Sequence, residues 1–116
     1  MRRRSSSSVR VFYPGLSREE VLTRLREGLA RLQALLPLRL AVLFGSYARG
    51  NYHVGSDVDL LLVYRGGEAG GRLRPRLEGP LDVPRLEIHI YTEEEYERLK
   101  PTLERMTEGG VVLLER

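Results

Sequence analysis

The 116-residue sequence contains no cysteine. That excludes disulfides, zinc ribbons, iron–sulfur clusters and cysteine nucleophiles. Lysine is nearly missing too: Lys100 is the only one, and arginine supplies almost all the positive charge. A planar guanidinium suits carboxylate and phosphate, although a host-wide arginine habit accounts for the bias more simply. No apolar run approaches the ~18 residues of a membrane span. Arg2, Arg3 and Arg4 are followed by Ser5 to Ser8 rather than an apolar stretch, so no export signal is read and a cytoplasmic location, away from membranes, is expected. The net charge of +3 permits a polyanionic partner. A basic surface with interleaved aromatics is lacking, however, which ranks nucleic-acid binding last.

What is present suits one soluble domain. Hydrophobic residues make up 41% and charged residues 30%, a globular rather than a disordered balance. The length fits a single domain and is far short of a TIM barrel. Residues 1–8 read as a disordered basic, serine-rich tail and residues 9–116 as the domain. Val9, Val11 and Tyr13 suggest a short extended stretch. Ser17 and Glu20 form a capping box, and Leu22, Leu25, Leu29, Leu32 and Leu36 give one apolar helical face ended by Pro37. Leu38 to Phe44 and Ser56 to Tyr64 read as buried strands, with at most one helical turn between them, at Ser46 to Gly50. Gly66 to Pro84 reads as a flexible connection. Leu86, Ile88 and Ile90 alternate with Glu87, His89 and Tyr91 as a strand. Thr92 and Glu95 cap a last helix that Pro101 kinks or restarts, and Val111 to Leu114 is a final strand. The expected fold class is therefore α/β (α+β), a single small mixed sheet with helices packed on one face.

Two aspartates carry the chemistry. Asp57 and Asp59 stand two apart in an apolar strand, so strand periodicity puts both carboxylates on one face. Like charges that close repel unless something neutralises them, and Val58, Leu60, Leu61 and Leu62 cannot. A divalent cation can, and all-oxygen donors point to Mg2+ or Mn2+. The plainer alternative is a pair on the solvated side of a half-exposed sheet. Glu87 reaches the aspartates if its strand pairs beside Ser56–Tyr64; otherwise it is an ordinary surface glutamate. Gly45 and Ser46 follow a buried strand, where a glycine lets backbone amides approach a phosphate, and Arg49 stands one turn on. Gly45 to Gly50 has P-loop spacing, but Asn51 and Tyr52 replace the Lys-Ser/Thr that motif requires.

Gly45-Ser46-Tyr47-Ala48-Arg49-Gly50, followed by Ser56-Asp57-Val58-Asp59-Leu60, resembles the signature of the DNA polymerase β-like nucleotidyltransferase superfamily. It is most similar to the minimal nucleotidyltransferases found beside HEPN-domain partners. Leu86-Glu87-Ile88 resembles the third motif, with glutamate where aspartate is usual. The resemblance implies a polymerase β palm-like fold and metal-dependent transfer of a nucleoside monophosphate, AMP from ATP or another nucleoside triphosphate, to a hydroxyl acceptor. It implies that Asp57, Asp59 and Glu87 act as catalytic metal ligands. It implies nucleotide-phosphate binding by Gly45, Ser46, Arg49 and Ser56. The implied partner is a HEPN-domain protein, with the chain as the antitoxin-like half of the pair; a homodimer also stays open. The alternative is a non-catalytic antitoxin that neutralises a HEPN ribonuclease by binding alone. A domain with so little beyond its site is expected to depend on a second protein for its acceptor or specificity.

Overall fold

The computed structural model describes residues 16–53, 55–66, 77 and 79–116. The expected tail, the extended stretch at 9–13 and most of the 66–84 connection lie outside them. Helix α1 (Arg18–Leu32) is followed by β1 (Leu38–Phe44), a four-residue α2 (Ser46–Arg49) and β2 (Val58–Tyr64). Then come β3 (Leu86–Thr92), α3 (Glu93–Arg98), α4 (Lys100–Met106) and β4 (Val111–Glu115). The strands form one mixed sheet in the order β3-β2-β1-β4. β1 runs antiparallel to β2 and β4, and β2 runs parallel to β3. This is the small mixed α/β sheet the sequence implies.

The sequence starts α1 where it should. Ser17 Oγ accepts from the Glu20 amide at 3.1 Å, and Glu20 Oε1 accepts from the Ser17 amide at 2.8 Å. The backbone hydrogen bond from Ser17, and then its hydroxyl, hold the Glu20 carboxyl below its ordinary 4.5. A lowered carboxyl pKa stabilises the fold above the ordinary value, and that contribution fades as pH falls through the lowered one. Ser17→Ala should therefore lower the melting temperature by a few degrees, the usual effect of losing a cap worth roughly 1 kcal/mol. It should also flatten part of the loss of stability on acidification, the part owed to the hydroxyl, because alanine keeps the backbone amide that bonds Glu20; melts across pH 3–7 would show this.

The helix ends at Leu32 rather than Leu36. Ala34 and Leu35 bond back three residues, to Arg31 and Leu32, tightening the last turn. Pro37 disfavours helical backbone at Leu36, which keeps the helix from running on to that residue. Leu36 still packs against the core as a partly buried side chain.

Alternation along the strands sorts the core onto two faces. Val21, Leu25, Leu29 and Leu32 of α1 pack with Ala41, Leu43, Leu60 and Leu62. Leu40, Val42, Phe44, Leu61 and Val63 face the other way and meet Tyr96 of α3 and Leu103 of α4. The face expected to carry the helices carries α1; the two C-terminal helices cover part of the opposite one. Two near-continuous apolar strands require this, since β1 and β2 have buried residues pointing both ways and each face needs a cover. Pro101 lies in the first turn of α4, and Leu99 separates that helix from α3. The C-terminal helix thus restarts at its proline, where a missing amide costs nothing.

Gly28 marks where α1 meets the segment leading to β3. A Cβ there would lie 2.5 Å from the Pro80 carbonyl oxygen and 2.9 Å from Leu81 Cδ2. The same carbonyl accepts from Arg31 Nη2 at 2.9 Å, so it is held in place. Glycine-to-alanine in an open helix gains about 1 kcal/mol. Here overpacking outweighs that gain, and Gly28→Ala should destabilise the domain by about 1–2 kcal/mol in urea unfolding.

Candidate active site

β1 is followed at once by Gly45 at φ 83°, ψ −157°, a backbone region essentially closed to side-chain-bearing residues. The turn it makes starts α2, and Gly50 at φ 86° ends it, its amide bonding to the Ser46 carbonyl at 2.9 Å. So short a helix needs outside support. The Tyr47 ring stacks on Tyr52 with centroids 4.1 Å apart, and its hydroxyl donates to the Leu16 carbonyl at 2.9 Å. Burial, aided by Tyr52 and then Glu20, pushes the Tyr47 phenol above its ordinary 10.0. Arg18 donates from Nε and Nη2 to the carbonyls of Tyr47 and Ala48. These are carbonyls that a four-residue helix cannot satisfy itself.

Gly45 also sits against Asp59. A Cβ on Gly45 would stand 2.6 Å from Asp59 Oδ2. The carboxylate thus occupies a notch that only a glycine leaves open. Its other oxygen, Oδ1, lies 3.5 Å from His89 Nε2. That nitrogen is shielded from solvent without a hydrogen bond, and the imidazole tilts against Phe44 at 5.2 Å. Asp59 pairs with Phe44 across β1 and with Glu87 across β3. Neighbouring pairs in register share a face, so Asp59 and Glu87 project from the same side of the sheet. Asp59 is 28% exposed, while Leu61 and Val63, next on that face, are buried. The carboxylate stands at the wet end of a dry strand.

Asp57 is placed differently. β2 begins at Val58, so Asp57 flanks the strand expected from Ser56. Its Oδ1 meets Arg85 Nη2 at 3.3 Å, with both side chains more than half exposed. Arg85 is the one non-glycine described residue at positive φ, 59°, a conformation that costs an L-residue roughly 1–2 kcal/mol. Among the described residues, no three acidic or histidine side chains stand together as a ready cation site; Asp57 is turned to Arg85 instead.

Residues 22–112 match the nucleotidyltransferase domain model. The chain belongs to the nucleotidyltransferase domain family. Among curated proteins none matches it. Several solved structures share the fold, three of them as follows. One is a Sulfolobus solfataricus protein described as a nucleotidyltransferase, with TM-score 0.57, 23% identity, and 90% of this chain and 93% of that one covered. Another is a toxin–antitoxin complex solved with AMP-PNP, with TM-score 0.55, 21% identity and coverage of 78% and 73%. The third is a mutant of the toxin–antitoxin pair MntA–HpeT, with TM-score 0.51, 19% identity and coverage of 87% and 75%.

Within this nucleotidyltransferase domain the expected residues fall into two groups. Gly45, Asp59 and Glu87 are brought together by the β1–β2–β3 register. Ser46 opens α2 beside them, half-buried, and Arg49 is exposed at its end. Ser56 closes its own turn: its Oγ accepts from the His53 amide at 2.9 Å, and its amide donates back to the His53 carbonyl. Arg85 and Arg18 are additions that sequence reading missed, and His89, which shares the Glu87 face of its strand and reads in the sequence as a residue that packs locally, stands against Asp59. Arg18 had a signal, because a cation in the first turn of a helix opposes the macrodipole and so needs another partner.

Proposed function

We propose that the domain transfers a nucleoside monophosphate, AMP from ATP, to a hydroxyl on a partner protein, as the antitoxin-like half of a pair with a HEPN-domain protein. The observation that carries the reading is the notch at Gly45. The glycine-serine turn closes on Asp59 so tightly that a Cβ on Gly45 would lie 2.6 Å from Asp59 Oδ2, and Glu87 lies in register with Asp59 on the next strand. A tight glycine-serine turn against one strand carboxylate, with a second acidic residue in register beside it, supports a phosphate-binding turn next to acidic ligands. Asp57, Asp59 and Glu87 are all hard oxygen donors, which suits Mg2+ or Mn2+. They would hold the cation, which supplies charge neutralisation at the entering and leaving oxygens.

The chain's own residues do the rest. Backbone amides after Gly45 and the Ser46 hydroxyl bind and orient the triphosphate, with Arg49 contributing charge from the rim. Alignment of the acceptor oxygen with the α-phosphorus supplies most of the acceleration in such transfers. Glu87 accepts the proton of the acceptor hydroxyl as its oxygen bonds to the α-phosphorus, and pyrophosphate leaves. Two toxin–antitoxin complexes share this fold, one solved with a nucleotide analogue, which supports both the nucleotide and the protein partner. No helix among the described residues is long and apolar enough to cross a membrane.

A second reading draws on Asp57. Its engagement by Arg85 favours a domain that binds and neutralises a HEPN ribonuclease without transfer. Incubation with labelled ATP, Mg2+ and candidate HEPN partners separates the two. Label on the partner supports transfer, whereas a stable complex without label supports the pure binder.

A further inference from the structure

We propose that Arg85 is a nucleotide-binding residue. Its guanidinium pairs with Asp57 at 3.3 Å; when a divalent cation takes that carboxylate, the guanidinium passes to the polyphosphate of a nucleoside triphosphate. The inference rests on the nucleotidyl-transfer reading above and adds to it a residue that no sequence motif singled out.

The backbone fixes Arg85 at the site. β2 and β3 run parallel and in register from Val58 and Leu86, so Asp57 and Arg85 flank the same end of the sheet. The Arg85 carbonyl accepts from the Val58 amide at 2.9 Å. Its conformation argues that the side chain has a task. At φ 59° a glycine or asparagine would be easier to place, yet an arginine stands there. The ion pair does not explain that choice. With side chains 57% and 56% exposed at 3.3 Å, it is the kind of pair that adds little to stability. The same exposure leaves the guanidinium free to move. A cation on Asp57 both removes the arginine's partner and repels it, and a polyphosphate offers the oxygen pairs that a guanidinium fork matches.

The test is calorimetry on the full chain with two probes, Mn2+ alone and ATP in the presence of Mn2+. Arg85→Ala should bind Mn2+ alone about two- to fivefold tighter, since a competing counter-ion is gone. The same variant should bind ATP roughly tenfold more weakly. Arg85→Lys, which keeps the charge but not the fork, should recover part of the ATP affinity. Arg85→Gly, which relieves the backbone, should melt no lower than wild type and repeat both opposed shifts. A merely structural role would move both affinities the same way. Affinities that move together, or do not move, overturn the inference and leave the transfer reading standing. A wild-type chain that binds neither probe overturns both.

Discussion

Asp59→Asn should abolish transfer of label from ATP while leaving the fold intact. Asparagine has the shape of aspartate, so it fits the notch at Gly45 and keeps an oxygen toward it. The side chain is partly solvated, and no buried ion pair is broken. What disappears is the charge. If Asp59 neutralises the reacting phosphate through a bound cation, its loss removes several kcal/mol of transition-state stabilisation. About 4 kcal/mol corresponds to roughly a thousandfold in rate. Initial rates of label transfer and thermal melts should be read on the same preparations. A melt within a degree or two of wild type beside a rate down about three orders of magnitude is the expected pair of results. Near wild-type transfer by this variant would sink the assignment of Asp59.

The largest effect on stability should come from Gly45→Ala. Two costs meet there. The φ, ψ pair of 83° and −157° is open essentially to glycine alone, a strain of about 1–3 kcal/mol for alanine. The new methyl would also lie 2.6 Å from Asp59 Oδ2, which forces the carboxylate or the strand to shift. A total near 3 kcal/mol is expected in denaturant unfolding, together with loss of transfer. The two costs can be separated. Asp59 Cβ lies at 3.6 Å from the built Cβ, an ordinary contact, so Asp59→Ala clears the clash but not the strain. The double variant should therefore be less destabilised than the sum of the single ones, with a coupling of about 1 kcal/mol or more. Strict additivity would mean that the approach of Gly45 to Asp59 carries no energy.

These two positions also show what could be read in advance. Local signals worked because local physics decides them. Both capping boxes form as the spacing demands, and the apolar stripe of α1 is the buried face. Gly45-Ser46 and the two aspartates could be singled out because turn glycines and paired strand carboxylates are uncommon and chemically specific. Glu87 was conditional on which strand lay beside β2. The parallel pairing of Asp59 with Glu87 spans a connection whose path no local pattern dictates. His89 was passed over because an alternating strand histidine has no distinguishing spacing; only the fold sets its ring between Phe44 and Asp59.

By itself, the sequence determined the element types, the turn at Gly45, the carboxylates available and the family resemblance. Each depends on neighbours a few residues away, through capping, periodicity and backbone sterics. The tertiary structure alone decided the rest. It set α3 and α4 across the sheet from α1, closed Gly45 onto Asp59, aligned Glu87 with it, and turned Asp57 to an arginine in a left-handed conformation. Those are contacts between residues 14 to 28 positions apart or more. They are selected by burial of both sheet faces and by strand register, and neither is written in any short stretch of the chain.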